Sequence, residues 1–73
     1  MVFVIKVTEI HDGDEKSFRY GVNESSDLEA KGALQRYLDH EGIEYLPEME
    51  IEPATPGQAA RLHVAPGCVR LLP

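Results

Sequence analysis

The sequence predicts an α+β fold in two layers, one amphipathic helix packed on a four- or five-stranded, mostly antiparallel sheet, in the order β-β-α-β-β-β. Three observations lead there. VFVIKVTEI and SFRYGV alternate apolar and polar residues on either side of Asp12-Gly13, SSDLEAKGALQRYLDHEG carries apolar residues at helical spacing, and short alternating segments follow it.

Asp-Gly between two alternating segments is the strongest short-range hairpin signal. A two-residue loop at Asp12-Gly13 pairs residues whose numbers sum to 25, so Phe3 faces Val22, Ile5 faces Tyr20, Val7 faces Phe18 and Glu9 faces Lys16. One register thus places the large apolar side chains on one face and adds an opposite-charge pair.

In the helical segment, Ser26 and Glu29 form the pattern of a capping box, and Gly42 is suited to end the helix. Ala30, Ala33, Leu34, Tyr37 and Leu38 make the stripe that faces the core. Gly32 sits near the helix centre, where glycine costs roughly 1 kcal/mol against alanine. Leu28 lies one turn before it on the same side. A bare notch beside a leucine invites close approach of another backbone; the structural alternative is a tolerated glycine with a leucine packed by the preceding loop.

EMEIE then alternates, with Met49 and Ile51 on one side and Glu48, Glu50 and Glu52 on the other. Pro47 and Pro53 bracket it, as at a short or edge strand. PATPGQ reads as a loop, and ARLHVA and CVRLL as a closing hairpin across Pro66-Gly67. That hairpin pairs Leu62 with Leu71, His63 with Arg70 and Val64 with Val69, and Pro-Gly favours a type II turn. The third strand can join either hairpin. This element order resembles that of β-grasp, ubiquitin-like domains. The segment Leu71-Leu72-Pro73 lacks the diglycine on which ubiquitin-like conjugation and sulfur carriage depend, so the resemblance implies a fold and not that activity.

A chain of 73 residues is expected to form a single domain, 1–73, with too small a core for a roomy internal active site. Hydrophobic residues at 42 % and charged residues at 27 % fit a globular chain. The longest apolar run, Val2 to Ile5, is too short for a membrane span, and a cytoplasmic location is expected. Cys68 is the one cysteine, which leaves neither an internal disulfide nor a zinc site. The run His11 to Glu15 is better explained by turn chemistry than by calcium ligation. Cys68 and His63 lack a third orienting group. No glycine-rich phosphate loop occurs. The expectation is therefore a non-catalytic chain without cofactor or metal.

The net charge of −6 is unevenly placed: residues 37–52 hold six acids and no base, and residues 53–73 hold two arginines and no acid. This argues against direct nucleic-acid binding, which needs clustered Lys and Arg. The acidic run gives the candidate partner-binding residues Asp39, Glu41, Glu44, Glu48, Glu50 and Glu52. Part of it is expected to complement Lys6, Arg19, Arg61 and Arg70 across neighbouring strands. Asp39, Glu41 and Glu44 oppose the helix dipole and so point to a use besides stability. Leu28 and Gly32 are the weaker candidates, with the sheet face carrying Val2 and Val4 a further open surface.

The function expected is that of a small intracellular protein–protein interaction domain, with homodimerisation through an exposed edge strand a further option. The alternative is an inhibitor whose acidic face blocks a basic nucleic-acid-binding surface. Small acidic phage-encoded inhibitors, anti-CRISPR proteins among them, are similar in size and character. A small accessory subunit of a larger enzyme is the third reading. No membrane partner is expected.

Overall fold

The computed structural model describes residues 1–73, in the order β1 (Val2–His11), β2 (Asp14–Asn23), α1 (Asp27–His40), β3 (Glu44–Pro53), α2 (Pro56–Leu62) and β4 (Val69–Leu71). The fold is α+β, with four antiparallel strands ordered β3-β1-β2-β4 and two helices.

The β1–β2 hairpin has the register expected, from Val2 opposite Asn23 to His11 opposite Asp14. Its turn is left-handed at both central residues, with φ 53° at Asp12 and 83° at Gly13. Those are the signs a type I′ turn requires, and Asp-Gly tolerates them best.

Ser26 caps α1, its hydroxyl accepting from the Glu29 amide at 3.2 Å. The Glu29 carboxylate accepts from the Ser25 hydroxyl instead of from the Ser26 amide, so the expected capping box forms only in its Ser26 half. At the other end Gly42 adopts φ 71°, its amide donates to the Asp39 carbonyl at 3.2 Å, and the Ile43 amide donates to the Leu38 carbonyl at 2.9 Å. This is a Schellman motif, and Ile43 packs on the core beside it.

Because β2 and β3 both run antiparallel to β1, they run parallel to each other, and α1 carries the chain across β1 between them. α1 buries Ala30, Ala33, Leu34 and Leu38 against Phe3, Ile5, Val7, Tyr20 and Val22 of the sheet. β3 is longer than EMEIE: it starts at Glu44 and passes through Pro47 in an irregularity where the register with β1 shifts between Val7 and Glu9. A bulge on an edge strand has no need of the amide that proline lacks.

The last third corrects the expected order to β-β-α-β-α-β, removing the five-strand option and with it the element order on which the β-grasp resemblance rested. Residues 56–62 form α2. Thr55 and Gln58 make a reciprocal capping box around Pro56 at the first helical turn. His63 ends α2 in the left-handed region at φ 51°. The pairing of Leu62, His63 and Val64 with Leu71, Arg70 and Val69 therefore does not form; instead β4 joins β2, Leu71 opposite Tyr20 and Val69 opposite Val22. The Pro66-Gly67 turn survives, with the Cys68 amide donating to the Ala65 carbonyl at 3.0 Å.

α2 and the residues after it lie on the face of the sheet away from α1. A Cβ built on Gly21 would stand 3.0 Å from Val64 Cγ2, 3.5 Å from Leu72 Cδ2 and 3.8 Å from Leu62 Cδ1. That cover buries Val2 and Val4, so the face expected to be open is closed at its α2 end.

Candidate functional site

The acidic run lies along β3, the outer strand beside β1. The Ala54 amide donates to the Val2 carbonyl at 2.8 Å, which fixes the phase of the ladder. In antiparallel pairing the hydrogen-bonded pairs then recur at every second residue, so Glu48, Glu50 and Glu52 turn their backbone groups toward β1. Met49 and Ile51 turn theirs outward, and Pro53 contributes only a carbonyl there. The open edge is thus short in usable donors, bounded by the Pro47 bulge and Pro53.

Side-chain alternation places Met49, Ile51 and Tyr45 against the core. Glu44, Glu48, Glu50 and Glu52 fall on the opposite side, all exposed. Glu48 and Glu50, with Lys6, Thr8, Ser17 and Leu46, line a shallow depression of about 340 Å³. The expected complementation is partial: Lys6 lies between Arg19 on β2 and Glu50 on β3 in register. Yet no lysine or arginine nitrogen lies within 4.0 Å of a carboxylate oxygen; the one contact of that kind joins His11 Nε2 to Glu9 Oε1 at 2.7 Å. Arg70 is occupied elsewhere, its Nη1 donating to the Leu62 carbonyl at 2.6 Å at the end of α2.

Asp39 and Glu41 belong to the α1 layer and flank the same edge from the other side, both exposed. Asp39 stands beside Tyr45, whose hydroxyl is raised above its ordinary pKa by burial and then by the negative charge of Asp39. The six acids therefore divide into two groups on either side of one sheet edge.

The helix notch is changed by its neighbour. A Cβ on Gly32 would meet the Arg36 Nη1 at 3.3 Å, so the guanidinium overlies the gap. Leu28 is 77 % exposed and is not packed by the preceding loop. Cys68 is free and exposed, and no group of three His, Cys, Asp or Glu is placed to hold a metal. No helix is long and apolar enough to cross a membrane.

The sequence reading missed the environment of Glu9. Its register with Lys16 holds, but Glu9 lies on the core side, 2 % exposed, accepting hydrogen bonds from the Tyr20 hydroxyl and from His11. Its odd number, shared with Phe3, Ile5 and Val7, was the signal. Comparison with family models, with curated proteins and with solved structures finds no match for the chain.

Proposed function

We propose that this chain is a small, non-catalytic interaction domain whose working surface is the acidic outer side of β3 and that its partner is a protein with a basic surface. One observation carries the reading: Glu44, Glu48, Glu50 and Glu52 share one face of an edge strand, exposed, with no lysine or arginine nitrogen within 4.0 Å of their carboxylates. Unneutralised like charge in a row opposes folding slightly and steers association with an oppositely charged surface.

Side chains rather than backbone make the contact in this reading. The Pro47 bulge, Pro53 and the alternating glutamates are the devices by which edge strands resist strand addition. Two β3 edges brought together would oppose glutamate to glutamate, so homodimerisation by that route is disfavoured.

The narrower reading, an inhibitor that occupies a nucleic-acid-binding surface, is favoured by spacing. Successive glutamates on one face of a strand are roughly 6.7 Å apart, on the order of the distance between successive backbone phosphates.

The test is affinity capture at low and high salt, with the native chain beside a Glu44→Gln, Glu48→Gln, Glu50→Gln variant. Loss of a basic partner with salt and with the variant supports the reading, and a nucleic-acid-handling partner selects the inhibitor. A partner retained under both conditions removes it and turns attention to Leu28 and Gly32.

A further inference from the structure

On the face away from α1, next to the Glu52 end of the acidic strip, α2 and the final residues leave a groove of about 220 Å³ over β1 and β2. Val4, Leu62 and Leu72 give it an apolar lining, Pro73 borders it, and Arg19 and Arg61 bring two guanidinium groups to it, with Gln58 beside them. No acidic residue lines it, in a chain with 13 acids and 7 bases. Neither arginine has a carboxylate oxygen within 4.0 Å, and neither is used as Arg70 is, to cap α2. Arg19 also borders a neighbouring depression that contains Lys6, Glu50 and Glu52, so the acids approach it from one side only.

Guanidinium groups present a planar fork of donors that matches a carboxylate, and they do so best beside apolar surface where water competes less. The volume sets the size of the ligand. At about 220 Å³ the groove lies below the range of drug-sized sites.

We propose that this groove binds a small apolar carboxylate, its oxygens on Arg19 and Arg61 and its alkyl part on Val4, Leu62 and Leu72. The proposal uses no residue of the acidic strip, although Val4 and Arg19 border it at Glu50 and Glu52.

The test is a titration of the whole, isotope-labelled chain with sodium hexanoate, followed by amide, methyl and arginine side-chain NMR signals. Hexan-1-ol and inorganic phosphate are titrated in parallel as the apolar and anionic halves of the ligand. Saturable shifts at Arg19, Arg61, Leu62 and Leu72 are expected, with half-saturation on the order of 1 mM for so small a ligand. Arg61→Gln, at an exposed position, is expected to raise that concentration about tenfold, the loss of one charge-assisted hydrogen bond. Arg19→Gln does the same, whereas Lys16→Gln, which removes an equal charge at the hairpin tip, leaves it unchanged. The unliganded spectrum of each variant reports its fold. Absence of shifts in the groove, equal shifts with hexanol or phosphate, or unaltered binding in a folded Arg61→Gln chain would overturn the proposal.

Discussion

The Tyr20 hydroxyl donates to the carboxylate of Glu9, and both side chains are buried, 3 % and 2 % exposed. His11 Nε2 lies 2.7 Å from the other carboxylate oxygen, and no buried side-chain nitrogen or oxygen lacks a partner. A carboxylate is therefore held on the core side of a very small protein by two contacts. Removing one partner strands a buried polar group at about 1–3 kcal/mol, whereas replacing both with apolar groups is nearly neutral. Tyr20→Phe is expected to lower stability by about that amount. Adding Glu9→Leu should recover at least half of the loss, measured by urea denaturation as a double-mutant cycle. Additive losses would mean that the contact is energetically idle.

The same pair sets an alkaline limit. Burial, then the hydrogen bond and charge of Glu9, raise Tyr20 well above its ordinary pKa of 10.0, and Tyr45 moves in the same direction. Above pH 10 the unfolded chain releases a tyrosine proton that the folded chain retains, so the unfolded state binds fewer protons and stability falls as pH rises. The contribution is fully present below pH 10 and is lost from there upward through the folded-state value. Denaturation midpoints are expected to be insensitive to these groups at pH 7–9 and to drop above 10, with a shallower drop in Tyr20→Phe.

Gly21 is the point where the second helix meets the sheet. An added Cβ falls 3.0 Å from Val64 Cγ2, closer than ordinary contact. Overpacking of this kind costs about 1–3 kcal/mol, offset by the roughly 0.5–1 kcal/mol that alanine gains over glycine in a strand. Gly21→Ala is therefore expected to lose about 1 kcal/mol net. Hydrogen exchange should quicken in α2, with the amides of Ile5 and Tyr20 left protected.

Gly32 separates packing from contact. Alanine there meets only the movable end of Arg36, so Gly32→Ala is expected to stabilise α1 by up to about 1 kcal/mol. If α1 is a docking surface, the same change weakens partner capture while raising the thermal midpoint. Leu28→Ala should leave stability within about 0.5 kcal/mol, being exposed.

How much of this was legible follows from which signals were local. The hairpin was readable because turn chemistry at Asp12-Gly13 and the apolar pattern give one register, and α1 because its cap and stripe agree. Half of β3 was readable from Met49 and Ile51; its start was hidden because Pro47 reads as a boundary unless a bulge absorbs it. α2 was missed because seven residues are too few for a helical period to emerge, and because Leu62 and Val64 mimic strand alternation. The sequence carried the correct sign in Thr55, Pro56 and Gln58, a capping box around a first-turn proline. The acidic residues were legible as two groups, Asp39, Glu41 and Glu44 at the helix end and Glu48, Glu50 and Glu52 on the strand; Glu44 was placed with the wrong one because β3 starts there, before Pro47. The groove was not legible at all, because Arg19 and Arg61 meet only through α2.

The most direct measurement is zero-length carbodiimide cross-linking of the native chain to the partner it captures, mapped by mass spectrometry. The reagent joins carboxylates to amines that are in contact, and 13 acids compete. Cross-links from partner lysines concentrated on Glu44, Glu48, Glu50 and Glu52 are the expected result. Cross-links concentrated on Asp12, Asp14 and Glu15 at the hairpin tip, or on Glu24, Asp27 and Glu29 before and in α1, would contradict the assignment of β3 as the working surface.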